Sequence, residues 1–121
     1  MIKRKTLFTL NISIHFLGNN GFIIGDFNTG RHYIDEKRKT FYCSEYFDRF
    51  KEASLIDSWR SRNQEIKEYS WYSSKGNGFR IDHVFSTPDL DKMLSDVHYS
   101  HVEREKGLSD HSALIVEFSL K

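Results

Sequence analysis

Three short acidic segments, Gly25-Asp26-Phe27-Asn28, Arg80-Ile81-Asp82-His83 and Ser109-Asp110-His111-Ser112, each adjoin an apolar run. Their carboxylates lie far apart in sequence, so only a fold can bring them together. Carboxylates gathered in one cleft repel, and must protonate, pair with cations or bind a metal. Oxygen donors beside one candidate histidine, with no cysteine cluster, suit Mg²⁺ or Mn²⁺ rather than structural zinc. Such an ion next to an imidazole suits phosphoester hydrolysis, with His111 donating to a non-bridging phosphate oxygen. Asp82 is the candidate to orient that imidazole and favour its protonated form. Asp26 is the candidate to accept a proton from water, and Asn28 to fix the water or the phosphate through its amide.

Each segment has a plainer reading. Asp26-Phe27-Asn28-Thr29-Gly30 is good turn chemistry, Asp82 can pair with a neighbour or face solvent, and Ser109–Ser112 reads equally as a loop before a strand. Trp71 and Arg80 are candidate substrate contacts, the indole stacking on a nucleotide and the guanidinium meeting phosphate. Half-buried hairpin packing is the other reading of Trp71.

The elements that must position these residues follow from periodicity. Phe22-Ile23-Ile24 is a short apolar run, expected as a buried strand delivering the chain to Asp26. Residues 28–39 read as a long polar loop. A helix is expected over 44–53, with Ser44 as N-cap and Phe47, Phe50 and Ala53 inward. Residues 69–85 read as a β-hairpin around the glycine-containing loop 74–78, with Arg80 and Asp82 on one face of its second strand. Thr87-Pro88 opens a short helix. Strands are expected over 97–102 and 113–120, the latter burying Leu114, Val116, Phe118 and Leu120. Leu7, Leu10, Ile14 and Leu17 recur at helical spacing, so the first segment is expected to be an amphipathic helix.

A chain of 121 residues is one domain by length. Its 38% hydrophobic and 29% charged residues describe a folded soluble chain rather than a disordered one. A net charge of +1 supplies no global field for a polyanion, which must be held locally. A single cysteine, Cys43, excludes an internal disulfide and fits a reducing compartment, so the cytoplasm is the expected location. Asn11, Ser13 and His15 interrupt the apolar stretch after the basic start and argue against a signal peptide. No run approaches the roughly 20 apolar residues of a membrane span.

In their order, Ile23–Asn28, Tyr69-Ser70-Trp71, Gly78–Phe85 and Leu108–Leu114 resemble the endonuclease/exonuclease/phosphatase superfamily, in particular Mg²⁺-dependent nucleases of the exodeoxyribonuclease III type. The resemblance implies a DNase I-like α/β fold, here half of a four-layer sandwich with a mainly antiparallel sheet and flanking helices. It also implies DNA as substrate. On it, Asp26 activates water, Asn28 contacts phosphate, Asp82 orients His111, and Asp110 is a metal ligand, with Asp26 and Asn28 also touching metal in some members. Trp71 would lie on the DNA side.

The matching segments cover only the second half of such a domain. Residues 1–121 are therefore expected to be one domain, the C-terminal portion, without the first half's metal-binding glutamate, its asparagine and its tyrosine or histidine near the phosphate. A sheet face built to meet the absent half would be bare, favouring a partner chain or self-association. The expected function is a divalent-metal-dependent phosphodiester hydrolase acting on DNA. The alternatives are a non-catalytic remnant of that domain, or a phosphatase or lipid phosphodiesterase of the same superfamily.

Overall fold

Leu114, Val116 and Phe118 are buried along one face of a strand whose intervening residues Ile115, Glu117 and Ser119 are less so, the period-two signature of a sheet packed on one side. The computed structural model describes residues 2–7 and 12–119. In chain order the elements are β1 (Ile2–Leu7), β2 (Ser13–Leu17), β3 (Asn20–Asp26), α1 (Tyr46–Glu52), β4 (Ile56–Asp57), α2 (Ser58–Arg62), β5 (Trp71–Tyr72), β6 (Gly78–Phe79), β7 (Asp82–Ser86), α3 (Pro88–Lys92), β8 (Leu94–Ser100), α4 (Val102–Glu105) and β9 (Ala113–Ser119).

One sheet has the order β1-β9-β8, a second β2-β3-β7-β4, and β5 and β6 form a two-stranded hairpin. All these pairings are antiparallel. The fold is α/β with mainly antiparallel sheets and short helices. Phe22, Ile24 and Val84 of the four-stranded sheet share one buried cluster with Val97, Tyr99, Leu114, Val116 and Phe118 of the three-stranded sheet. The rings of Phe22 and Phe118 lie 5.0 Å apart. The two sheets thus cover each other, and the bare sheet face expected from the sequence is not present there. Exposed apolar side chains collect instead on β2, where Ile14 is 61% and Phe16 83% exposed.

The expected N-terminal helix is replaced by strands. Leu7 faces Leu114 in the β1/β9 register, and Ile14 and Leu17 lie in β2, paired with Ile23 and Asn20; Leu10 lies outside the described residues. Thr, Ser and Ile are indifferent helix formers, and two neighbouring strands offer them a ladder. The first-turn boundary of α1 also differs: Glu45, not Ser44, precedes the helix, without a side-chain capping bond. β8 begins at Leu94, and Val102 opens α4. No helix among the described residues is long and apolar enough to cross a membrane.

The hairpin's second strand is divided. Gly78 and Phe79 pair with β5, whereas Asp82 to Ser86 join the four-stranded sheet beside β3. In that register Gly25 lies opposite His83, and Asp26 opposite Asp82. The ends of two neighbouring strands therefore carry two of the three candidate carboxylates.

Candidate active site

β3 ends at Asp26, and the chain stays tied to the next segment because the Phe27 N–H donates to the Ile81 carbonyl at 2.8 Å. Asn28 takes a left-handed conformation, φ +54°, which asparagine tolerates better than most residues. Its N–H donates to Asp26 Oδ1 at 2.8 Å, an Asx turn that fixes the carboxylate at the strand tip. The plain turn reading and the functional reading of this segment therefore coincide: the turn orients the acid.

His111 sits just before β9 and makes an isolated bridge with Trp71. The next residue's N–H, that of Ser112, donates to the Ser70 carbonyl at 2.7 Å. Held this way, the imidazole spans two carboxylates. Nδ1 meets Asp82 Oδ2 at 2.8 Å, and Nε2 lies 3.6 Å from Asp26 Oδ2. Asp110 Oδ1 is 4.0 Å from the same Nε2, on a side chain 77% exposed to solvent.

The electrostatics follow from these distances. The hydrogen bond that His111 Nδ1 donates to Asp82 outweighs the penalty of partial burial and raises the His111 pKa, favouring the imidazolium. Burial raises the Asp26 pKa; the Asn28 N–H opposes this, while the charges of Asp82 and Asp110 add to it. An acid whose proton affinity is raised is a better proton acceptor than an unperturbed one.

Beside Asn28 and His111 opens a cavity of about 380 Å³, walled by Trp71 and Phe79 on the hairpin side and by Phe41 and Tyr42 on the other. Trp71 is half-buried, its ring 5.7 Å from that of Phe79. The structure thus brings Asp26, Asn28, Asp82, Asp110, His111 and Trp71 to one place.

No protein-family model matches the sequence, and no curated protein does. Solved structures do. The 3′ phosphatase NExo from Neisseria, bound to a product DNA hairpin, is 25% identical with a TM-score of 0.72, over 82% of this chain and 45% of that one. An AP endonuclease from Archaeoglobus fulgidus is 23% identical with a TM-score of 0.67, over 80% of this chain and 44% of that one. The AP endonuclease LMAP from Leishmania major is 16% identical with the same TM-score, over 81% and 34%. The chain has the DNase I-like fold of the endonuclease/exonuclease/phosphatase superfamily. It spans less than half the length of these solved chains.

Arg80 stands apart from this site. Its side chain is 0% exposed, with Nε donating to Asp35 Oδ1 at 2.7 Å and Nη2 to Asp57 Oδ2 at 2.5 Å. Its guanidinium also lies 4.9 Å from the Trp59 ring centroid. A group so enclosed does not reach a phosphate, and the substrate contact expected of it is corrected to a structural one. Dividing the hairpin strand sends Arg80 inward to these acids while Asp82 meets His111.

Three positioning residues escaped sequence reading. Ser70 is fully buried, and its Oγ accepts from the N–H groups of Ile81 and Asp82 at 3.1 and 3.2 Å. Tyr99 donates its hydroxyl to the Asp82 carbonyl at 2.5 Å and accepts from Arg80 Nη1 at 3.3 Å. Asp35 anchors Arg80; burial works against its charge, but Arg80 beside it holds the carboxyl down at about 2. The Tyr69-Ser70-Trp71 segment was the available signal for Ser70, whereas Asp35 and Tyr99 sit in stretches with none.

The donor set fits a hard divalent cation. Asp26, Asp82 and His111 offer ligand atoms within 4.8 Å of one another. One Asp82 oxygen is committed to His111, which leaves the Asp26 carboxylate and the exposed Asp110, 4.0 Å from His111 Nε2, as acidic donors. One or two carboxylates, completed by water and phosphate oxygens, is the shell Mg²⁺ commonly accepts.

Proposed function

We propose that this chain carries the hydrolytic residues of a divalent-metal-dependent phosphodiester hydrolase acting on DNA, of the exodeoxyribonuclease III type. The observation that carries the reading is the imidazole of His111 clamped on Asp82 by one nitrogen while its other nitrogen faces Asp26 and Asp110. DNA is favoured because a neighbour of the same fold is bound to a DNA hairpin and others are AP endonucleases. In this reading residues 1–121 form the C-terminal portion of such a domain. A partner chain or a second copy would cover the exposed apolar residues of β2.

His111, kept protonated by Asp82, donates from Nε2 to a non-bridging oxygen of the scissile phosphate. Asp26 removes the proton from the attacking water. The Asn28 amide holds the phosphate, and Trp71 packs against the adjoining nucleoside. Mg²⁺ or Mn²⁺, held by Asp110 and Asp26 with Asn28, would supply Lewis-acid stabilisation of the charge developing on phosphate. A second reading, removal of a 3′ phosphomonoester from DNA, is favoured by the activity in the name of NExo. It uses the same residues: water attacks the terminal phosphorus, the P–O3′ bond breaks, and inorganic phosphate is released from the DNA 3′ hydroxyl.

Nicking of supercoiled DNA by the purified chain, titrated with Mg²⁺ and then with EDTA, tests the proposal. Cleavage that follows Mg²⁺, stops with EDTA and is lost in Asp26→Asn supports it. No cleavage of DNA or release of 3′ phosphate at any metal concentration would instead favour the non-catalytic alternative.

A further inference from the structure

The wall of the cavity opposite the hairpin is built in an unusual way. Glu36 is buried, and its carboxylate accepts from the N–H of Thr40 at 2.9 and 3.0 Å and from that of Phe41 at 3.0 Å. The Thr40 hydroxyl donates to it as well, and His32 Nδ1 lies 2.9 Å away. A carboxylate that gathers so many donors from within five residues folds that stretch of loop around itself, and a buried, satisfied anion is costly to displace.

The turn so formed places Phe41 edge-on to Phe79, with ring centroids 5.6 Å apart. Gly30 permits this approach, because a β-carbon there would come within 2.9 Å of the Phe41 ring and 2.7 Å of the Arg80 carbonyl. Thr29 donates its hydroxyl to the Tyr42 carbonyl at 2.5 Å, and Cys43 turns the chain away at φ +61°. The backbone of Tyr42 is therefore held on both sides. Tyr42 lines the cavity and is nevertheless 87% exposed, contributing almost nothing to the core.

An aromatic ring on a fixed backbone at the rim of a phosphate site pays little entropy to meet a flat ligand. We propose that Tyr42 is a stacking platform for a nucleobase beside the phosphate held by Asn28 and His111, with Glu36 as the positioning residue that sets its wall. The inference rests on the nucleic-acid reading of the site, but its test does not depend on turnover.

The test measures fluorescence anisotropy of the full chain in EDTA with two labelled pentamers carrying the same phosphates. One is dT5, and the other has tetrahydrofuran abasic units throughout. Stacking predicts that wild type prefers dT5, that Tyr42→Ala weakens dT5 about tenfold while leaving the abasic pentamer within about twofold, and that Tyr42→Phe restores the preference. Equal binding of the two pentamers by wild type, equal loss of both in Tyr42→Ala, an unchanged preference in Tyr42→Ala, or no binding of either overturns it. Failure of the hydrolase reading is seen separately, as a wild-type chain that binds dT5 but cleaves no DNA in Mg²⁺.

Discussion

Asp26 and Asp82 are direct cross-strand partners at the ends of β3 and β7, and the imidazole of His111 reaches both. Like charges facing each other across a ladder destabilise a sheet. Here the imidazolium offsets that repulsion, and its two nitrogens acquire different surroundings. One is held by Asp82, and the other is left near Asp26 and Asp110 for a ligand.

That division predicts a pH profile. Asp26 must be ionised to take a proton, so activity should fall on the acid side as its carboxylate protonates. His111 must be protonated, so the alkaline limb should lie above 6.5. Asp82→Asn removes the hydrogen bond and charge that raise His111, and should move the alkaline limb to lower pH; because the Asp82 charge also raises Asp26, the acid limb should shift to lower pH as well. An unmoved alkaline limb in pH–rate measurements on Asp82→Asn would show that Asp82 does not set the imidazole's charge.

Ser70→Ala should destabilise the fold and the site together. The Ser70 hydroxyl is the acceptor for the buried N–H groups of Ile81 and Asp82. Orphaning buried donors costs about 1–3 kcal/mol each, with partial compensation by relaxation. Urea unfolding should show a loss of about 2 kcal/mol, and Ser70→Thr or Ser70→Cys should keep more of the stability than Ser70→Ala. A Ser70→Ala transition midpoint equal to wild type would refute this role.

Much of the architecture could be read beforehand where one local pattern decides. The alternation in β9 and the apolar run before Asp26 each allow one packing, and the turn chemistry of Asp26 and Asn28 marks the strand's end. The first segment misled because a three-four spacing of Leu and Ile also arises across two short strands, and only the partners of β1 and β2 distinguish these. Arg80 misled for a related reason. Alternation along an unbroken strand put it beside Asp82, but its true partners, Asp35 and Asp57, come from a loop and from β4. Charge pairing between remote segments leaves no local trace.

Arg80→Met should be strongly destabilising. It would leave Asp35 and Asp57 as buried carboxylates without their shared cation, and breaking a buried pair by removing one member costs about 3–5 kcal/mol. Urea titration should show the loss at pH 7, with part of it recovered in the double variant Arg80→Met, Asp35→Asn. Full stability of Arg80→Met would mean that this ion pair contributes nothing to holding β7 in place.

Acid should unfold the chain in two overlapping ways. Asp35 is held at about 2 in the fold against 3.8, so its contribution is present above 3.8 and is lost as pH falls towards 2. That loss is on the order of 2 kcal/mol. His83 is fully buried, with Nε2 against the Thr29 carbonyl at 2.7 Å, and burial, with Arg80 nearby, lowers its pKa below 6.5. Its neutral form therefore stabilises the fold above 6.5, and that stabilisation fades as pH drops through the lowered value. Stability measured against pH should begin to fall below 6.5 in wild type, and His83→Phe should delay that onset; an identical onset in the two would count against the buried imidazole.

The most direct test of the hydrolytic centre is the Mg²⁺-dependent rate of DNA cleavage by wild type and His111→Ala, compared at matched circular dichroism. The geometry predicts a cleaving wild type and a variant slowed about 10²–10⁴-fold. A folded His111→Ala chain that cleaves as fast as wild type would contradict the role assigned to this imidazole, and with it the site.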